Sequence, residues 1–264
     1  MIKLIASDLD GTLANADGSI PEDAFSCIRE LEAKGIPFVV ATGRQGITVY
    51  DTFQQVMDSI YIIADNGAVI YHKGDIVSVT ELNQARAKEL IKQLEQFPDL
   101  DAIICCKSCA YSKDASDTLR ELVKTYYSKL YFVSSTDEIE EPIVKIALFA
   151  PNGFKPEEEE WLRNNYEEEF TITVSGEKWI DVGNPQVSKG TALKRIMDSL
   201  QVQKEEAMAF GDYFNDESML KAVEEGYAME NAPEEMKAHA KYIAPTGGVL
   251  NIIREKVLSD LQES

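Results

Sequence analysis

Positive charge is what this chain has least of for its size. Its 264 residues carry 26 Lys and Arg against 46 Asp and Glu, a formal net charge of −20. A nucleic-acid backbone would be repelled over most of such a surface, which excludes non-specific binding to nucleic acid. A small phosphorylated molecule is not excluded, since it needs only a local pocket of donors and a cation. Histidine is far scarcer, with only His72 and His239, far apart in the chain. The four cysteines are too few for a disulfide-dense scaffold. Three of them cluster as Cys105, Cys106 and Cys109, but a structural zinc site normally takes four Cys or His ligands, and zinc is set aside. No apolar run approaches the ~20 residues of a membrane span, and the stretch before Asp8 is too short for a signal peptide. Internal repeats and low-complexity tracts are absent. The expectation is a soluble, cytoplasmic protein with neither a nucleic-acid nor a membrane partner.

What is present is 44% hydrophobic residues, enough for a sizeable core, in a chain whose length leans towards two domains. The first 80 residues alternate strand and helix. Ile2–Ala6 is a short apolar run bounded by Ser-Asp, as a strand buried on both faces would be. Pro21–Lys34 reads as a helix, with Phe25, Ile28 and Leu31 at helical spacing and Gly35 as a stop. Strands are expected at Ile36–Ala41 and Tyr61–Ala64. Turn signals at Asn66-Gly67 and Lys73-Gly74 predict a hairpin of Ala68–His72 and Asp75–Val79. From about residue 81 the character changes. Helices around Ala85–Gln96 and Asp114–Tyr127 alternate with strand-like runs, including Ile143–Ala150 and Thr171–Val182, which suits a separate α+β unit. The acidic run Glu157–Glu160 reads as a solvated helix face, and Trp179 as a core residue. Near Ser188 the first rhythm returns, with a helix over Lys189–Leu200, a strand at Ala207–Phe210, and βα units at Tyr227–Met229 and Tyr242–Ala244. The fold class is α/β: a Rossmann-like parallel sheet interrupted by an inserted unit.

Four polar tips follow strands or open helices in this pattern. Asp8-Leu9-Asp10-Gly11-Thr12 comes directly after the first strand, and ligands of open parallel sheets bind beyond the carboxyl ends of strands. Two carboxylates at i and i+2 repel each other unless a proton or a hard cation such as Mg²⁺ intervenes. A plain Asp-Gly turn would explain the same residues. Thr42-Gly43-Arg44 ends the second strand, where a hydroxyl and free amides make either an anion site or an ordinary helix cap. Lys189 stands at a helix start, where the dipole disfavours a cation, and a phosphate or the Asp cluster would account for it. Gly211-Asp212-Tyr213-Phe214-Asn215-Asp216 brings two more carboxylates and an amide to the same sheet edge. Four carboxylates there need a divalent cation and Lys189 to be tolerable.

In these four motifs, and in Asn66-Gly67-Ala68, the sequence resembles the haloacid dehalogenase superfamily, in particular its Cof-type (type IIB) sugar-phosphatase-like branch. The resemblance covers nearly the whole chain. It implies a catalytic core of residues 1–81 and 186–264 and an inserted α+β cap of residues 82–185. It implies a Mg²⁺-dependent phosphatase of small phosphorylated metabolites, sugar phosphates foremost. In that scheme Asp8 is the nucleophile and Asp10 the general acid and base. The metal is held by Asp8, the Asp10 backbone carbonyl and Asp212, with Asp216 supporting. Leu9, Thr42, Gly43, Lys189 and Asn215 hold the phosphoryl group, and Arg44 faces the substrate or forms a surface salt bridge. Tyr213 departs from the asparagine of many relatives and alters the rim. A phosphomutase on the same fold, or a non-catalytic phospho-acceptor resembling receiver domains, remain the alternatives.

Overall fold

Strand β1 (Leu4–Ser7) is fully buried, and its side chains alternate between two packed faces. Ile5 joins one hydrophobic cluster, while Leu4 and Ala6 join another that includes Leu193, Ile196 and Met197. A strand covered on both sides has no polar positions to spare, so it reads as an unbroken apolar run. The structure is a computed structural model and describes residues 1–113 and 116–259. After β1 come α1 (Glu22–Ala33), β2 (Phe38–Ala41), α2 (Gly46–Phe53) and β3 (Ile60–Ala64). The hairpin of β4 (Val69–His72) and β5 (Asp75–Val79) follows. The inserted unit comprises α3 (Gln84–Gln93), β6 (Asp101–Cys106), β7 (Ala110–Lys113), α4 (Asp117–Tyr126), β8 (Leu130–Val133), β9 (Ile143–Phe149), α5 (Pro156–Tyr166), β10 (Thr171–Gly176) and β11 (Trp179–Gly183). The chain returns through α6 (Lys189–Leu200), β12 (Ala207–Gly211), α7 (Glu217–Ala222), β13 (Glu225–Met229), α8 (Glu234–Lys237), β14 (Tyr242–Ala244) and α9 (Val249–Ile253).

Two sheets result. The eight-stranded one runs β14-β13-β12-β1-β2-β3-β4-β5, parallel from β14 to β3, with the hairpin added antiparallel. From β1 the chain builds outward to β2 and β3, and later fills the other side with β12 and β13. Strand order therefore reverses at β1, which puts the ligand crevice where Asp8 emerges. The six-stranded sheet of the cap runs β10-β11-β9-β6-β7-β8 and is mainly antiparallel. One apolar cluster continues from core residues such as Phe53 and Tyr71 into cap residues such as Cys105 and Ala147.

Three expectations need correction. Thr171–Val182 is not one run but the antiparallel pair β10–β11, turned at Glu177-Lys178. The acidic run is not wholly solvated. Glu158 is buried, and its carboxylate accepts the Lys155 amide at 2.8 Å, capping α5. The helix expected from Asp114 begins at Asp117 after the Ser116 cap, and Asp114 itself lies outside the described residues. All four cysteines are buried free thiols. Among the described residues no helix is long and apolar enough to cross a membrane.

Candidate active site

Each polar tip is delivered by the element before or after it. The Asp8 amide still bonds to the Phe210 carbonyl at 3.0 Å, so the sheet fixes the backbone up to the Asp8 carboxylate. Gly11 turns the chain with a φ of 83°, and a Cβ there would lie 2.2 Å from Asp212 Oδ2. Only glycine lets the first and fourth loops come this close. Thr42 follows β2, and its Oγ1 accepts the Arg44 amide at 3.0 Å. Ser188 caps α6 by accepting the Thr191 amide at 3.1 Å, which fixes Lys189 in the first turn. The Lys189 side chain is fully buried, and its Nζ lies 2.6 Å from both Asp8 Oδ1 and Asp216 Oδ1. The lysine that the helix dipole disfavours is thus held by two carboxylates.

Asp216 is the most heavily engaged of these carboxylates. Its Oδ1 takes Lys189, while Oδ2 accepts the amides of Asp212 and Tyr213 at 3.0 and 3.2 Å. Asp212 is held more loosely, by Thr12 Oγ1 and Asn231 Nδ2, both at 3.3 Å. Asn231 also donates to the Gly11 carbonyl at 3.0 Å. Thr12 closes the first motif without a role of its own there, and Asn231 does not stand out in the sequence, because an isolated Asn after β13 carries no motif.

Oxygen ligand atoms of Asp8, Asp212 and Asp216 all lie within 4.8 Å of one another. Burial pushes the Asp8 carboxyl well above its usual range, against the pull of Lys189, and Asp216, Asp212 and Asp10 push the same way. Asp212 is pushed up to about 7, first by burial and then by the Asp216 charge. Burial also works against the Lys189 ammonium, but Asp216 and Asp8 override it and hold the proton on. Three crowded carboxylates share one lysine. The all-oxygen donor set, the negative excess and the Gly11 cradle together fit a hard divalent cation. Asp8 and Asp212 are the less engaged of the three, whereas Asp216 mainly braces the loop through the Asp212 and Tyr213 amides.

The Asp10 carboxylate is not part of this group. Arg44 grips it with both arms, Nε reaching Oδ2 at 2.8 Å and Nη2 reaching Oδ1. Arg44 therefore makes a salt bridge, yet also borders the cavity with Asp8 and Asp10. Leu9 has its side chain buried in the core, which leaves only its backbone for a ligand. The Asn215 amide bonds Asn66 Oδ1 at 3.1 Å beside the same cavity.

That cavity holds about 240 Å³, and the cap supplies Tyr127, Lys145, Ala147, Ser175, Trp179 and Asp181 to its wall. Trp179 was expected in the core. It packs on Phe149 with ring centroids 4.7 Å apart, but it lines the cavity as well. Lys145 and Asp181 carry no motif, and their one sequence signal is a lone charge inside a buried strand. Burial pushes Asp65, just behind this wall, up to about 6, with Lys145 pulling the other way.

A doubly wound sheet with an inserted cap, and four charged loops converging at its switch point, define a phosphohydrolase. The haloacid dehalogenase-like hydrolase model matches residues 5–253, and the chain belongs to that family, in its Cof-type, IIB branch. It is 30% identical over 262 residues to the 5-amino-6-(5-phospho-D-ribitylamino)uracil phosphatase of Escherichia coli, covering 97% of this chain and 96% of that protein. It is 30% identical over 271 residues to a phosphatase of Bacillus subtilis, covering 93% and 95%. A solved structure from Streptococcus mutans, 28% identical, matches with a TM-score of 0.88 over 97% of this chain and 98% of that one. The chain is a phosphatase of the haloacid dehalogenase type, acting on small phosphorylated compounds.

Proposed function

We propose that the chain is a Mg²⁺-dependent phosphatase of sugar phosphates that works through a phosphoaspartate on Asp8. The observation that carries the reading is Asp8, which borders a cavity walled in part by the cap and is held from behind at 2.6 Å by the buried Lys189 ammonium, itself braced by Asp216. In this reading residues 1–81 and 186–264 make the core, residues 82–185 make the cap, and the buried free thiols suit the cytoplasm. Asp8, the Asp10 backbone carbonyl and Asp212 would hold the Mg²⁺. When bound, the cation neutralises the crowded carboxylates and draws charge from a phosphoryl oxygen.

The chain's own groups do the rest. Asp8 attacks phosphorus as the bond to the leaving oxygen breaks, and Asp10, once it has left the Arg44 pair and taken up a proton, gives that proton to the oxygen. Asp10 then takes a proton from water, which attacks the phosphoaspartate, frees phosphate and restores Asp8. Because Thr42 Oγ1 already accepts the Arg44 amide, its hydroxyl proton is available to a phosphoryl oxygen. The Leu9 and Gly43 amides, Lys189 and Asn215 are the remaining donors, and charge developing in the transition state is stabilised by such fixed groups. Arg44, which lines the cavity, would exchange its Asp10 partner for the substrate as Asp10 turns to the leaving oxygen. One observation favours a second substrate class. Tyr127 and Trp179 in the wall supply aromatic faces for a ring-bearing sugar-alcohol phosphate, the kind of compound named for the Escherichia coli relative.

The test is direct. Chelation should abolish hydrolysis of a hexose phosphate, Mg²⁺ should restore it, and Asp8→Asn should fall to background while its melting transition is kept. Turnover by a folded Asp8→Asn protein at the unmodified rate would sink the covalent route.

A further inference from the structure

Lys145 stands in β9 within Ile143-Val144-Lys145-Ile146-Ala147-Leu148-Phe149, where every residue is buried. An ammonium in such a strand is costly unless charged and polar partners surround it. Its partners lie mostly in the other unit. Nζ donates to the Gly43 carbonyl at 2.6 Å and lies 3.4 Å from Asp65 Oδ1 and 3.6 Å from Asp181 Oδ1. Gly43 and Asp65 belong to the core, and Asp181 is on β11 of the cap. Asp181 Oδ2 accepts Asn66 Nδ2 at 2.6 Å, and Asn66 Oδ1 accepts Asn215 Nδ2 at 3.1 Å. A continuous polar chain therefore crosses from the Thr42-Gly43 loop, through two cap residues, to the loop that carries Asp212 and Asp216.

Lys145 and Asp181 border the cavity, but their charges are directed at each other and at core groups along this chain. The ammonium donates to the Gly43 carbonyl and is flanked by the Asp65 and Asp181 carboxylates at ion-pair distance, while Asp181 Oδ2 is taken by Asn66. They are poorly placed to recognise a substrate and well placed to report where the cap sits. Asp65 has the most to lose when the cap lifts. It is 2% exposed, and Lys145 is the cation beside it.

We propose that Lys145, with Asp181, is a closure latch: a positioning residue that holds the cap on the core and clamps the Gly43–Arg44 peptide beside the phosphoryl site. That peptide's carbonyl takes Lys145 while its N–H bonds Thr42 Oγ1 at 3.0 Å, so clamping one end sets the hydroxyl at the other. Closing the cap thereby also completes the anion site. The substrate side of this proposal rests on the phosphatase reading, whereas the geometric side does not.

The experiment compares the full-length chain with Lys145→Met, which keeps the bulk and removes the charge. Small-angle X-ray scattering follows the cap, and kcat/KM is measured for a hexose 6-phosphate and for acetyl phosphate. A latch predicts a larger radius of gyration and a fall in both rates. The hexose phosphate needs the closed state more, so its kcat/KM divided by that of acetyl phosphate should drop about tenfold or more. A merely structural lysine would lower both rates by the same factor, through the active fraction. If Lys145→Met does not fold, Lys145→Met combined with Asp65→Asn and Asp181→Asn removes the stranded charges and carries the same comparison. An unchanged ratio with unchanged scattering in a folded variant overturns the latch. Should the unmodified chain hydrolyse neither compound, the phosphatase reading fails, and scattering alone decides the latch.

Discussion

Asp212 is the carboxylate on which a proton and a cation compete most openly. Burial and Asp216 hold its pKa at about 7 in the metal-free fold, against roughly 3.9 for an unfolded aspartate. A raised pKa means that the folded state binds the proton more tightly. The stability linked to it is complete below about pH 4 and is lost as pH rises through 7, by about 4 kcal/mol at most. Urea midpoints in chelator should therefore fall between pH 4 and pH 8. Mg²⁺ should make the decline shallower by taking the proton's place, and Asp212→Asn should make it shallower without metal, the remainder coming from the raised Asp8 and Asp65 carboxyls. A slope indifferent to both would mean that Asp212 titrates normally. Residues of this kind were legible in the sequence because Asp and Gly directly after an apolar strand form a local signature. Lys145, Asp181 and Trp179 were not. Each is a single polar or aromatic side chain in a buried strand, and its meaning lies in partners a hundred residues away or across the cavity.

At the scale of elements, α6 decides where Lys189 points. Its limits were readable from Ser188 and the apolar spacing, and the helix spans Lys189–Leu200 as expected. Its contact with α7 was not readable. Gly190 packs so closely that a Cβ would lie 2.2 Å from the Ser218 carbonyl oxygen. Ala at a helical position normally gains about 1 kcal/mol over Gly. Overlap with a backbone atom costs about 1–3 kcal/mol or more, and here the steric cost should win. Gly190→Ala should thus lose stability and, by tilting α6, pull Lys189 from Asp8. Denaturant unfolding and kcat should fall together, and a variant more stable than the parent would refute the packing argument.

For the whole molecule, the division of labour can be tested by removing residues 84–182 and joining the ends with a short flexible linker. The four polar loops all remain, so a folded core should still hydrolyse acetyl phosphate slowly while losing its ranking of sugar phosphates. The cut bares the apolar cluster that Cys105 and Ala147 help to cover, so circular dichroism and gel filtration must first establish a folded monomeric core. A folded truncation that keeps the full ranking would return specificity to Arg44 and Tyr213. The two-unit plan was legible as a change of rhythm, but the meeting of the two units was not, since cap placement depends on surfaces rather than periodicity. The same plan has a consequence for synthesis. β1 pairs with β12 through Leu4 and Ala207, so its partner leaves the ribosome some 200 residues later. At roughly 5–20 residues per second, that edge of the nascent chain waits about 10–40 s. The cap, an uninterrupted stretch, emerges complete in the meantime. Translation therefore delivers the lid before the catalytic sheet can close, and β1 is the segment a ribosome-associated chaperone has most reason to hold.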